Sequence, residues 1–375
     1  MRRPTLRGWI WTAATLALVV VAALLWRGSD AAATRSTTAD PAGVPAGTPA
    51  GAVSTSWSAS TTTAGGTARP AVHGGRVVVA DGHGVRALDV ATGETAWQYT
   101  RANARLCDWT LAGSVVVAVS GTEDRCDEAV ALSTDTGVRS WTRNVDFRAD
   151  VTLTSTDRIV LAASPTGVVT LDPVGDNTRW RQPAGEGCRI VGADVGEAGV
   201  VVLQRCAGSA ALQLRLFDGF QGGALWSRDV PEGTTLAGVG PTVVVAGTDG
   251  VQLLAAADGA PLGSPLPGAT AQVTAIGDTA LVLADGLLSA VDQAGGAVRW
   301  QVPATGLPAA ATTRKLPAPA ATVPVPEAGA IVLRDVDSGQ EQGRVTGADL
   351  PDGALVTVVG PVVVAQEPDR VVAAR

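Results

Sequence analysis

Residues 76–97 read RVVVADGHGVRALDVATGETAW, and this stretch decides the fold. A Val-rich run of β-branched residues comes first, then a Gly turn, a second short apolar run ending in Ala-Leu-Asp, a Thr-Gly step and a Trp. Such runs, bounded by Gly, Asp and Thr, predict short antiparallel strands. The same plan returns at 114–141 (SVVVAVSGTEDRCDEAVALSTDTGVRSW), 158–180 (RIVLAASPTGVVTLDPVGDNTRW), 199–226 (GVVVLQRCAGSAALQLRLFDGFQGGALW) and 280–300 (ALVLADGLLSAVDQAGGAVRW). Two weaker copies, 242–263 and 322–343, carry Gly263 and Gly343 where Trp is expected. Trp57, Trp97, Trp141, Trp180, Trp226 and Trp300 therefore stand on one ladder with a step of about 40 residues. A unit of that length with four short strands is a propeller blade. A single blade leaves both faces of its sheet bare, so blades stack around an axis, with the Trp packing between neighbours.

The ends of the chain complete the count. Residues 361–375 (PVVVAQEPDRVVAAR) supply the two middle strands of a blade and then stop, without a final strand or a Trp. Trp57 lies one period ahead of Trp97 with no blade of its own. Residues 53–60 are thus expected to supply the last strand of the C-terminal blade, leaving no free sheet edge at the ring closure. This predicts an all-β propeller of eight four-stranded blades over 54–375. Seven is the alternative if the unit around 303–345 forms none, because Pro324 and Pro326 fall in its expected strand and cannot donate to a ladder. Residues 303–319 read as a long surface loop.

The N-terminal part is of a different kind. Residues 8–26 (GWIWTAATLALVVVAALLW) carry no charge and, as a helix, span about 28 Å, close to a bilayer's hydrocarbon thickness. Trp9, Trp11 and Trp26 sit at its two ends, and Arg2, Arg3 and Arg7 precede it. This predicts a signal anchor at 8–26 with residues 1–7 cytoplasmic and the body extracytoplasmic. The alternative is a signal peptide cleaved near Ala33, after the small residues Ala31 and Ala32, which gives a secreted body. Residues 27–53, rich in Ala, Thr, Pro and Gly, read as a flexible tether that lifts the body roughly 25–30 Å off the membrane.

Composition excludes several functions. The chain has 375 residues and a net charge of −7, and the N-terminal arginines make the body more acidic still, which argues against nucleic acid as a partner. Two histidines, His73 and His83, exclude a multi-histidine metal site. Gly82 to Ala87 spell the letters of a dinucleotide fingerprint, but a strand follows instead of the required helix, so a hairpin turn is expected. The acidic stretch 123–128 lacks the alternating oxygen pattern of a calcium loop and reads as a solvated tip. No nucleophile elbow occurs. No catalytic, cofactor-binding or metal-binding residue is therefore assigned. Cys107, Cys126, Cys188 and Cys206 lie in two units with spacings of 19 and 18. In each, one Cys precedes the Val-rich strand and one follows it, which predicts the disulfides Cys107–Cys126 and Cys188–Cys206 at equivalent blade positions in an oxidising compartment. Trp109, off the ladder, is expected either to pack on the first disulfide or to lie on a binding face.

The block Ala87-Leu88-Asp89, Thr92-Gly93 and Trp97 resembles the PQQ-like β-propeller repeat of quinoprotein dehydrogenases and of the BamB outer-membrane assembly lipoprotein. The resemblance covers about residues 55–375 and implies fold. It does not carry the quinone: those dehydrogenases have an adjacent cysteine pair and a calcium held by acidic and amide groups, whereas no two cysteines adjoin here and only three Asn are present. The near absence of Lys, with Lys315 alone, together with abundant Ala, Gly and Val, points to a GC-rich genome such as an actinobacterium's. The expected function is a non-catalytic envelope binding or scaffold module. It is held in the membrane by its N-terminal helix, needs no cofactor, and has an envelope protein or an unidentified ligand as partner. The alternatives are a quinoprotein-like oxidoreductase and a ligand-sensing ectodomain, the latter needing a cytoplasmic partner because only seven residues precede the helix.

Overall fold

A computed structural model describes residues 6–63, 66–122, 124–309, 322–347, 351 and 353–375. Eight sheets form eight blades, which are numbered here in chain order. Blade 1 shows the plan: strands Val72–His73, Arg76–Asp81, Gly84–Asp89 and Thr95–Arg101 run in order from the innermost position outward. The Val-rich second strand is buried on both faces, since Val77, Val78 and Val79 are all inaccessible. The outermost strand of blade 2, Arg139–Arg148, instead alternates, with Trp141, Val145 and Phe147 turned inward. Burial on both faces favours continuous β-branched runs, and burial on one face favours alternation.

Each Asp that ends the third strand shapes the turn after it. Asp89 Oδ1 accepts hydrogen bonds from the backbone N–H of Ala91 and Thr92, at 3.0 and 3.1 Å. Asp172, Asp218 and Asp335 bind the following turns in the same way. These turns need a left-handed residue, supplied by Gly93 in blade 1, Gly137 in blade 2 and, unusually, Asp176 (φ 50°) in blade 3.

The ring closes as expected. Thr55–Ser60 pairs antiparallel with Arg370–Ala374 of blade 8, and Ser54 and Arg375 exchange backbone hydrogen bonds of 3.1 and 3.0 Å. The count is eight, because the seventh unit forms a blade in spite of its prolines. Thr322–Glu327 pairs in full register with Ala330–Asp335. The Pro326 carbonyl accepts from Thr305 N–H at 2.8 Å, so this residue, and Pro324 two positions before it, face the inner edge. No N–H is needed there, because Leu307–Pro308 leaves that position and pairs in parallel with Leu355–Val359 of blade 8. The long loop expected over 303–319 lies, from residue 310 on, outside the described residues.

The N-terminal segment corrects the sequence expectation. Helix α1 (Leu6–Arg27) is apolar and exposed, but residues 27–53 are no free tether. A helical turn α2 (Asp30–Ala33) is followed by Thr34–Thr37, which adds an antiparallel fifth strand to the outer edge of blade 1. Ala39 N–H then donates to Thr136 O at 3.0 Å and Ala42 N–H to Asp135 Oδ1 at 2.7 Å, on blade 2. Gly51–Ala52 pairs in parallel with Glu341–Thr346, on the outer edge of blade 7. Low hydrophobicity argued for disorder, but backbone hydrogen bonding to two bare sheet edges needs no apolar side chains.

Candidate functional site

The ladder indoles act between blades. Trp97 is fully buried, and its Nε1 donates to Thr134 O of blade 2 at 2.8 Å. A Cβ on Gly137 would lie 2.6 Å from that ring, so the turn glycine is required by the indole lying against it. Trp57, Trp141, Trp180, Trp226 and Trp300 make the same bond to the next blade, to Val90, Pro173, Gly219, Ala256 and Val336, at 2.8–3.1 Å. These six residues are structural. Trp109 takes neither expected place. A register shift between Leu106 and Asp108 puts Trp109 in the core between blades 1 and 2, whereas Cys107 and Cys126 join the core between blades 2 and 3. Trp109 Nε1 donates to Thr62 O at 3.0 Å, and the Arg69 guanidinium lies 5.7 Å from its ring.

Both disulfides form with the expected partners. Their positions are not equivalent. Cys107–Cys126 joins the first and third strands of blade 2 and holds the fully buried Cys126, whereas Cys188–Cys206 joins directly opposed residues on the first two strands of blade 4. Of the histidines, His83 Nδ1–H donates to Ala104 O (2.8 Å) beside the hairpin turn, and the strand Gly84–Asp89 follows that turn as expected.

Three polar sites escaped the sequence reading. Arg69 pairs with the buried Asp108 at 3.0 Å, and Asp108 Oδ2 accepts from Leu153 N–H at 2.7 Å, which ties the ring closure to blades 2 and 3. Arg101, at the end of the outer strand of blade 1 and 4% exposed, lies between Asp30 (2.8 Å) and Glu128 (2.9 Å). Asn103 also donates to Asp30 at 2.7 Å, and this bond, then the Arg101 charge, holds the Asp30 carboxyl below its usual range.

The third is Asp194, on the first strand of blade 4 between the first strands of blades 3 and 5. Its side chain is partly exposed at the surface, yet protein atoms are packed densely around the carboxyl. Desolvation pushes its pKa up to about 6, against the hydrogen bond that the Val195 N–H donates to Asp194 Oδ1 at 2.8 Å. The signal was an Asp inside the otherwise apolar run IVGADVG (190–196), which strand periodicity alone cannot mark as desolvated.

One surface groove stands out. It has a volume of about 270 Å³ and lies between the end of the outer strand of blade 2 and blade 3. Phe147, Val151, Ala162 and Val168 give it an apolar lining, with Arg148 and Arg181 at its polar rim. Arg148 is held by Asp150 at 3.0 Å and Asp146 is paired with Arg125, whereas Arg181 makes no ion pair among the described residues. The uncompensated charge at the groove is therefore positive.

The residues do not fit a quinone with its calcium. The cysteines form two disulfides, each between strands of a single blade, instead of an adjoining pair, and no group of three or more His, Cys, Asp or Glu side chains is placed to hold a metal among the described residues.

Among solved structures, the crystal structure of the computationally designed Ika8 protein is similar, with 14% identity and a TM-score of 0.55, covering 84% of this chain and 98% of that one. Dihydro-heme d1 dehydrogenase NirN in complex with DHE is similar at 15% identity and a TM-score of 0.47, covering 82% and 72%. The first likeness is one of fold, and the second adds nothing to it. No curated protein matches the chain. The family described as outer membrane protein assembly factor BamB matches residues 47–207 and 210–375, so the chain belongs to this PQQ-like propeller family.

Proposed function

We propose that the chain is a non-catalytic, extracytoplasmic scaffold propeller, anchored by α1, which binds an extended acidic segment of an envelope protein in the groove between blades 2 and 3. The observation that carries the binding part is the unpaired Arg181 guanidinium beside an apolar lining: a carboxylate would satisfy it while a neighbouring apolar side chain fills the groove. Among the described residues the outer strand of blade 2 has no strand on its far side, and the chain already adds strands of its own to the corresponding edges of blades 1 and 7. Anchoring is supported by a span at Trp9–Arg27 with mean hydropathy 2.1 and nothing buried. The two disulfides support an oxidising compartment.

The test uses a fluorescent extended peptide of alternating Leu and Glu with the purified full chain in detergent. Binding is expected to weaken with salt and to fall at least tenfold in Arg181→Glu. No binding, or binding unchanged by that substitution, rejects the groove. Resistance of the chain to alkaline extraction from membranes tests the anchor separately. Failure of the chain to bind a quinone and calcium is expected; dye reduction on their addition would favour the oxidoreductase.

A further inference from the structure

The way α1 joins the ring bears on how the propeller is carried. Only Gly28 and Ser29 separate α1 from α2. Three residues of chain from Arg27 to Asp30 reach at most ~10 Å. Between Asp30 and Thr37 the segment is bonded to blade 1 at both ends of α2 and along the added strand. Asp30 lies 2.8 Å from Arg101 and 2.7 Å from Asn103, Ala102 N–H donates to Ala33 O at 2.9 Å, and Thr34–Thr37 pairs residue by residue with the outer strand. Arg101, being buried, needs both its carboxylates, since an unpaired buried guanidinium is costly. Asp30 belongs to the part that a cleavage after Ala33 would remove. The small residues Ala31, Ala32 and Ala33 lie in a helical turn docked on the ring.

We propose that residues 28–37 form a rigid mount that holds the loop end of blade 1 against the lipid surface, so that the propeller projects from the membrane by one edge. This rests on the membrane-anchored reading above. The surface concerned is the end of blade 1 around Asn103 and the turn at Gly82, whose carbonyl accepts from Leu106 N–H at 2.8 Å and whose neighbour His83 O accepts from Arg101 N–H at 2.9 Å. Blade 5 lies diametrically across an eight-blade ring and is carried farthest from the anchor. A partner in the groove between blades 2 and 3 would then be met close to the bilayer.

The experiment places nitroxide labels at Arg27→Cys and Gly82→Cys in the full chain, in nanodiscs of phosphatidylcholine and phosphatidylglycerol. The native cysteines are bonded in pairs and do not react, and a side chain at Gly82 meets nothing within 4 Å. A single narrow distance population is expected, and Asp30→Ala with Asn103→Ala should broaden it at least twofold. Arg35→Pro, at an exposed position whose N–H lies toward the outer strand, breaks the added strand and is a second release variant that leaves the Arg101 site in place. A broad distribution in the unaltered background, of the width a free chain of this length gives, overturns the mount, as does a distribution that neither release variant changes. The intact mass of the membrane-derived chain gives an independent readout: residues 1–33 present is expected, and a chain starting at Thr34 overturns it. Alkaline extraction reports the anchor by itself, so a chain that stays in the membrane with a broad distribution rejects the mount alone.

Discussion

The contact between blades 1 and 2 and the contact between blades 5 and 6 solve one problem in opposite ways. Between blades 1 and 2, Trp97 fills the space and a glycine, Gly137, makes room for its ring. Between blades 5 and 6 the ladder position is Gly263, and it meets the corresponding turn glycine, Gly296, backbone to backbone: a Cβ on Gly263 would lie 2.3 Å from Gly296 O, and one on Gly296 would lie 2.4 Å from Leu262 C. The blades come together where the indole is lacking. The other gap, Gly343, has a different cause. The turn on which its Trp would lie is the place where the third and fourth strands of blade 8 come from opposite ends of the chain. A missing Trp therefore marks a close approach in one case and the ring closure in the other.

The largest expected effect comes from breaking the filled contact. Trp97→Ala should cost about 4 kcal/mol in urea unfolding, whereas the same change at the only partly buried Trp226 should cost about half as much. Equal losses would mean that the indoles act as hydrogen-bond donors more than as packing volume. Loss of Cys107–Cys126 through Ser at both positions should cost about 3 kcal/mol by loop entropy, and more than that if the buried Cys126 site stays unfilled. Cys188–Cys206 closes a loop of nearly the same length on more exposed residues, so its removal should stay at or below that figure.

The close contact is tested next. Gly263→Ala adds one methyl group where φ is +62° and the neighbour is backbone, and it should cost about 2 kcal/mol. Gly223→Ala, on another turn with nothing within 4 Å, should cost under about 0.5 kcal/mol in the same assay. If the two substitutions proved equal, the backbone approach of blades 5 and 6 would not be a tight one.

A last effect, comparable in size to that of Gly263→Ala, concerns the inner ring. The Asp194 carboxyl titrates near 3.8 when unfolded and at about 6 when folded. Between about pH 6 and 4 the folded state thus keeps a proton that the unfolded state has released, and this group's contribution to stability rises as pH falls through that window and is lost as pH rises. Asp194→Asn should therefore raise stability at pH 7 by ~2 kcal/mol, less for any channel water that reaches it, and remove that part of the pH dependence. An unchanged difference between the two proteins from pH 4 to 7 would show that the carboxyl is not desolvated in the folded state.

Much of this architecture was legible in the chain before its structure. The Val-rich runs, the Ala-Leu-Asp ending, the Thr-Gly step and the six Trp specify a strand, a turn and an interblade wedge, because each depends on near neighbours in sequence and on a period that recurs. The truncated C-terminal unit and Trp57 specify the ring closure for the same reason. The paired cysteines were also legible, although spacing alone could not separate a bond across one strand from a bond between adjacent strands.

What tertiary structure decided lies where distant segments meet. Residues 27–53 look disordered because they bury little apolar surface, and the edges of blades 1 and 7, with the turn of blade 2 at Asp135 and Thr136, give their backbone groups partners. Trp109 turned away from the disulfide because of one register shift. Asp30, Arg101 and Glu128 are far apart in sequence and form a site only when blade 1, blade 2 and the helix exit converge. Local patterns are written in the chain because each residue's own neighbours enforce them. Partners separated by many residues leave no such mark, because folding alone brings them within hydrogen-bonding distance.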